Sequence, residues 1–367
     1  MTAPAITVLM PVYNAERHLA GALDSILGQS FTDFELLIVN DGSTDRSRDI
    51  VAGYDDPRMR VVDTENRGVA ASLRLGMELA RGAYVARMDA DDECLPHRLA
   101  VEKAYLDAHP EAILVHGRVT LIGDDGRVLL AAMGDPRTPL GTKWLLAWHN
   151  VPFHPTVMLR ASSFREHDLN YRPEANLAED FDLWFRAATA GEIHMLDEVL
   201  VRYRIHAGGV TRGERAARQL DVQGYVIRSN FAHYGIALDD AKAREIAIIS
   251  GSTRLDAGTY RYRALRGHLL PLLADLEAQF AARHAGAPEA WRVEQAMQLA
   301  LWARHMLGTA RMEAALLLWA ALRRHPMLAL RARCWATLMG CVLPAAWFHQ
   351  LMAAMRGNGA FGAGHTG

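Results

Sequence analysis

The chain has 367 residues, half of them hydrophobic and 22% charged, with a formal net charge of -2. That length suits one large domain with a smaller one, or two ordinary domains, and the composition is globular. The near-neutral balance gives no electrostatic reason to expect nucleic acid, and three cysteines (Cys94, Cys334 and Cys341), none at metal-site spacing, exclude a disulfide framework and fit a reducing compartment. The N-terminal MTAPAITVLMPVYN has no basic n-region and no long apolar run, so it does not read as a signal peptide.

ITVLMPVY predicts a strand ended by Asn14, and Leu19, Leu23, Ile26 and Leu27 then share one helical face. FELLIVND predicts a second buried strand, stopped by the turn formers DGSTD, with SRDIVAGY as a helix. MRVVDT predicts a third strand. ENRGVAASLRLGMELARG reads as a loop and a helix, with Gly82 as its C-cap. AYVARMDADD predicts a fourth strand. This alternation predicts a mostly parallel sheet flanked by helices. Ligands in such sheets sit beyond the carboxyl ends of the strands, where PVYN, DGSTD and DADD all fall.

Asp89, Asp91 and Asp92 crowd three carboxylates into four positions after an apolar strand. Like charges that close repel, so either they form a solvated turn that caps the next helix or a cation belongs there. LPHRLAVEKAYLDAHPEA predicts a helix ending before Pro110, and ILVHGRVTLIGDDGRVL a hairpin turning at DDG. TKWLLAWHN, PFHPTVMLRASSF and AEDFDLWFRAATAG lead on to VRYRIHAGGVT. Beyond about Arg215 the chain is Ala-, Leu- and Arg-rich and reads as an α-helical C-terminal region without strands.

The domains are therefore expected at 1–215 (α/β), 216–356 (helical) and 357–367 (a disordered tail). The uncharged stretch 334–355 is long enough to span a bilayer, but Pro344, His349 and Gln350 interrupt it. An interfacial helix or a buried helix pair is the expectation. Arg304, Arg311, Arg323, Arg324, Arg331, Arg333 and Arg356 face a single acid, Glu313, between Ala296 and Arg356. That surplus suits an anionic membrane surface, or a packed helical domain with a solvated arginine face.

TVLMPVYNAERHLAGALDSILGQSFTDFELLIVNDGSTD resembles the opening of the family 2 inverting glycosyltransferases of GT-A fold. ENRGVAASLRLGMELARGAYVARMDADD, NVPFHPTVMLR, AEDFDLWFRAATAG and VRYRIHAGGVT resemble the later blocks of that family, in its order. The resemblance runs from Ile6 to about Thr211. It departs at Leu73 and Arg74, where many members carry Arg-Asn, so neither is given a site role. It implies a nucleotide-sugar donor across the strand ends and a cytoplasmic enzyme, at the inner face of the membrane, acting on a glycan or lipid-linked acceptor.

By this resemblance Pro11, Tyr13 and Asn14 border the donor nucleotide, and Asp41 accepts from the imide N–H of uracil or thymine. A carboxylate suits that edge because it is acceptor-only. Read from the residues alone, Asp41 is better taken as an N-cap and Tyr13 as a core aromatic. Arg67 meets the base or a phosphate. Asp89 and Asp91 form the D-x-D pair: Asp91 ligates Mn²⁺ or Mg²⁺, and Asp89 reaches the ribose or a metal-bound water. Alternation along an extended chain would send both side chains the same way. Asp92 is read as a cap for a helix beginning near Leu95. His206 is a further metal ligand, a diphosphate contact or a surface loop histidine.

Asp180 fits the family's general base, with Glu179 beside it, although acids at a helix N-terminus are also ordinary. His154 is expected to shape the acceptor pocket, and Trp184 to be an acceptor-side platform or core. The Q-x-x-R-W signature of processive synthases is missing after Trp184, which implies one sugar per encounter. Rival readings are a nucleotidyltransferase, disfavoured because PVYNAERHLAG is not a glycine-rich basic loop, a non-catalytic nucleotide-sugar-binding relative, and a membrane-surface scaffold.

Overall fold

The computed structural model describes residues 3–206, 214–250, 269–287, 290–306 and 311–327. The apolar stretch 334–355, the tail 357–367 and the end of the HAGGVT block lie outside the described residues. The chain divides into two compact units, Met1–Thr253 and Arg254–Gly367.

The first unit is built on β1 (Ile6–Val12), β2 (Phe34–Asp41), β3 (Met59–Thr64), β4 (Tyr84–Arg87), β5 (Glu93–Cys94), β6 (Ala112–Gly123), β7 (Val128–Met133), β8 (Met158–Arg160) and β9 (Glu192–Ile205). Their order is β3-β2-β1-β4-β8-β6-β9-β5, with β7 paired to β6. The parallel sheet expected from the alternation is present from β3 to β4. Beyond β4 the sheet is mixed: β8 runs antiparallel to β4 and β6, while β9 runs parallel to β6.

Both faces of β1 are covered, which is why ITVLMPV reads as a continuous apolar run. Helix α1 (Leu19–Leu27) packs Leu19, Ala22, Leu23 and Ile26 with Ile6, Val8, Met10 and Val12. Each of the larger of these side chains contributes about 1.5–3 kcal/mol by leaving water. On the opposite face Leu9 meets α3 (Val69–Leu79) at Gly76, where an added Cβ would come within 2.1 Å of Leu9 Cδ1. Between them in sequence lies α2 (Ser47–Ala52), after the DGSTD loop.

Gly82 is not the C-cap of α3, which ends at Leu79 with Ala80 in an extended conformation. Gly82 instead lets the backbone pass close to β1: an added Cβ would lie 2.4 Å from the Thr7 nitrogen. The strand read through DADD stops at Arg87, and the acids follow in a turn. Helix α4 (Arg98–Ala108) starts after His97 with no side-chain cap, so Asp92 does not cap it. Glu93 to His97 separate the two.

The first unit continues through α5 (Pro139–Leu146), α6 (Ala161–Glu166), α7 (Glu179–Ala190), α8 (Glu214–His233) and α9 (Asp240–Ser250). The compact unit extends past the boundary expected at 215. The last two helices are tied to it by polar bonds: Asn230 Nδ2 donates to Leu146 O at 3.0 Å, and His149 Nδ1 meets Ser250 O at 2.7 Å. The second unit contains α10 (Leu270–Arg283), α11 (Ala290–Met306) and α12 (Arg311–Arg324). Phe280 packs on Trp291, and Arg324 pairs with Glu277 at 3.1 Å. Among the described residues no helix is long and apolar enough to cross a membrane.

Candidate active site

The polar motifs PVYN, DGSTD and DADD meet along the carboxyl ends of β1, β2 and β4. Asn14 takes φ 48°, a left-handed conformation that asparagine tolerates. Its Oδ1 accepts from Thr44 N at 2.8 Å, and Ala15 N donates to Ser47 Oγ at 2.8 Å. These bonds lock the loop after β1 to the loop after β2. Pro11 lies in the last turns of β1, half-buried, and Tyr13 stands 44% exposed, which excludes the core-aromatic reading.

Asp41 is buried at the end of β2, where its two oxygens accept from Arg67 N at 2.8 Å and Gly68 N at 2.9 Å. It thus fixes the loop that enters α3, while each oxygen keeps acceptor capacity. Arg67 is exposed on that loop.

Asp89, Asp91 and Asp92 offer carboxylate oxygens within 4.8 Å of one another. A turn at Ala90–Asp91 brings them together, not the alternation of an extended chain. Arg87, buried in β4, pairs with Asp89. Asp92 Oδ1 accepts from Arg204 N at 2.7 Å, but its buried Oδ2 has no partner. Burial and the charges of Asp89 and Asp91 push the Asp92 carboxyl well up. Burial also raises Asp89, against the opposing pull of Arg87. An all-oxygen donor set with an orphaned buried oxygen and mutually repelling charges fits a hard divalent cation.

His206 Nε2 lies 2.8 Å from Asp91 Oδ2, so the structure joins that histidine to the acidic cluster. Arg204 Nε donates to Asp91 O, and Arg202 and Arg204 both hold Glu93, at 2.8 and 2.6 Å. The far end of β9 is thereby anchored beneath the acidic turn.

Asp180 and Glu179 open α7. Asp180 Oδ2 accepts from Asn150 Nδ2 at 2.7 Å and Oδ1 from Phe181 N at 2.7 Å. Burial raises the Asp180 carboxyl, and it raises Glu179 to about 7, with the Asp180 charge adding to the Glu179 shift. Arg87 acts electrostatically on both, so one guanidinium links the acidic turn to the start of α7. Asp182 is engaged elsewhere, held by Arg186 at 2.6 Å.

His154 Nε2 lies 2.9 Å from Tyr171 OH, and burial holds the imidazole well below its ordinary pKa, hence neutral. Trp184 packs edge-on to His154 and is fully buried. The platform role for Trp184 is therefore corrected: its ring is core, with no face open to an acceptor.

Arg87, Asn150, Tyr171 and Arg204 were not singled out from sequence. Arg87 had a signal, as a lone charge in the apolar run AYVARM, since a buried charge demands a partner. Arg202 and Arg204 alternate in VRYRIH, so they share a strand face. Asn150 and Tyr171 lie in loops and had none.

Residues 7–167 match the family model described as glycosyl transferase family 2. The chain is 33% identical over 213 residues to the putative glycosyltransferase EpsE of Bacillus subtilis (strain 168), covering 55% of this chain and 73% of EpsE. It is 42% identical over 222 residues to the putative glycosyltransferase EpsH of the same organism, covering 58% of this chain and 64% of EpsH. The crystal structure of S. aureus TarS 1-349 in complex with UDP-GlcNAc matches with a TM-score of 0.54 at 18% identity, covering 88% of this chain and 91% of that one. This chain spans 55% of a longer TarS chain, at a TM-score of 0.53. The sheet, its flanking helices and the carboxylate-lined edge define a sugar-transferring enzyme of GT-A fold. The chain belongs to glycosyl transferase family 2.

Proposed function

We propose that the enzyme is a metal-dependent, inverting glycosyltransferase that moves one sugar from a nucleoside-diphosphate donor to a hydroxyl of a glycan or lipid-linked glycan. The observation that carries this reading is the convergence of Asp89, Asp91 and Asp92 around an unpartnered buried oxygen, linked through Arg87 to the Asp180 carboxylate. UDP- or dTDP-sugars are the favoured donors. The exposed Tyr13 ring offers a face to a base, and Asp41 retains acceptor capacity for an imide N–H. The TarS complex contains UDP-GlcNAc, which agrees with this choice.

In the proposed reaction the acceptor oxygen attacks the anomeric carbon as the bond to the diphosphate oxygen breaks. The bonding pair leaves on the nucleoside diphosphate, and the acceptor proton passes to the Asp180 carboxylate on the opposite face. Asn150 Nδ2 and Phe181 N orient that carboxylate, while its burial raises its proton affinity. Glu179 is the adjacent carboxylate, and neutral His154 with Tyr171 supports the acceptor side. Asp91, Asp89 and His206 are the residues that would hold Mn²⁺ or Mg²⁺, and such an ion when bound supplies positive charge to the departing diphosphate. The arginine-rich C-terminal helices would bring the enzyme to an anionic surface at the inner face of the membrane.

Asp180→Asn tests the base. Nucleotide binding by calorimetry should persist, while turnover, read as nucleoside diphosphate released in the presence of acceptor, should fall about 10²–10⁴-fold. Near-normal turnover would show that Asp180 is not the base.

A further inference from the structure

Two short motifs play no part in the donor site: His109-Pro110-Glu111 after α4 and Glu192-Ile193-His194 at the start of β9. Ala112 pairs with Glu192 in the parallel β6–β9 ladder, so the residues before β6 lie beside the first residues of β9. This is the end of the sheet opposite the acidic turn. Arg160 pairs with Tyr84, the first residue of β4, and its guanidinium holds the carbonyls of Leu106 and His109 at 2.7 and 3.2 Å.

The side chains form a built cluster. The Tyr105 ring stacks on His109 with centroids 4.1 Å apart, and Tyr105 OH lies 2.9 Å from His194 Nδ1. Glu111 Oε1 is 2.9 Å from His109 Nδ1, and Glu192 Oε2 is 2.7 Å from His194 Nε2. One ligand atom from each of His109, Glu111 and His194 lies within 4.8 Å of the others. His194 is mostly buried, while His109 and Glu111 are about half-exposed.

We propose that His109, Glu111 and His194 bind a borderline divalent transition-metal ion, with Zn²⁺ the best match. Two imidazoles and a carboxylate are a nitrogen-rich set that suits Zn²⁺, whereas Mg²⁺ and Mn²⁺ prefer the all-oxygen set of the acidic turn. Ligand atoms about 2.0–2.2 Å from one ion stand roughly 3.3–3.6 Å apart, so modest side-chain rotation closes the cluster. Glu192 holds one nitrogen of His194 and so orients the ring, as carboxylates beside metal-binding histidines do. The other nitrogen, Nδ1, lies 2.9 Å from Tyr105 OH, and a bound metal would take the place of that contact. The ion would clip the end of α4 to the start of β9 and leave open positions for water.

The test is Zn²⁺ titration of the full chain after chelator treatment, in competition with a chromogenic chelator, in an Asp91→Asn background that removes the acidic-turn metal site. The proposal predicts one tight equivalent. His109→Gln and His194→Gln should each weaken it at least a hundredfold, and Glu192→Gln about tenfold, with circular dichroism unchanged. Co²⁺ in place of Zn²⁺ should give a visible d–d spectrum that disappears in the same variants. Absence of a tight equivalent, or an affinity unaltered by both histidine variants, would overturn it. No residue is shared with the donor site, so neither outcome bears on the proposed sugar transfer.

Discussion

Arg87 offers one positive charge to Asp89, Glu179 and Asp180 together. The carboxyls outnumber it in a buried region, and their proton affinities rise accordingly. Glu179 shows the consequence for stability. Its proton affinity is raised to about 7 in the folded chain, so between its ordinary 4.5 and 7 the folded state holds the proton more tightly than the unfolded state. That contribution is fully present below about 4.5 and is lost as pH rises through 7. Glu179→Gln should remove the loss and raise stability at pH 8 by about 1–3 kcal/mol, with little change at pH 4. Urea midpoints at the two pH values check this. An equal shift at both would mean that Glu179 is not held protonated by burial. A stabilised variant with reduced turnover would place the cost of burial in the service of the reaction.

The close approach of elements decides what a glycine does. Gly82→Ala would drive a Cβ against the backbone of Ile6, Thr7 and Tyr84, so β1 and β4 must part. We expect a loss of about 3 kcal/mol or more in urea unfolding, because the atoms met are backbone and cannot rotate away. In contrast, Gly126→Ala in the β6–β7 turn meets nothing within 4 Å and has only its positive φ of 81° to satisfy, at about 1–2 kcal/mol. Equal costs would mean that the β1–β4 contact is looser than described. A sequence cannot distinguish these glycines, because Gly82 follows a helical period just as a C-cap would. The same limit explains Trp184. Helix α7 buries residues on most of its circumference, including Glu179, Asp182 and Trp184, so its pattern marks no single inner face. The β/α alternation of the first four strands was legible because each strand is a compact apolar run ended by turn formers. The two-residue β5 and three-residue β8 carry too little pattern to be read. The carboxylate edge was legible through its motifs, but Arg87, Asn150 and Arg204 depend on contacts across 30 to 113 positions of sequence or on burial.

At the scale of the whole molecule, an acidic first unit precedes a helical region in which arginine outnumbers the acids. If those arginines serve a membrane surface, the full chain should float with vesicles containing anionic lipid and be released by salt, since exposed charges are screened within about 8–10 Å at physiological ionic strength. Equal recovery with neutral vesicles, or none with either, would remove the membrane from the account. The central claim, however, is that the carboxylates at the strand ends hold a divalent cation for a nucleotide donor. Calorimetry of the full chain with UDP, dTDP, GDP and CDP, each with Mn²⁺ and with EDTA, tests it most directly. The account predicts binding of UDP or dTDP that requires Mn²⁺ and disappears in Asp91→Asn. Folded protein that binds none of the four, or binds equally in EDTA, would contradict it.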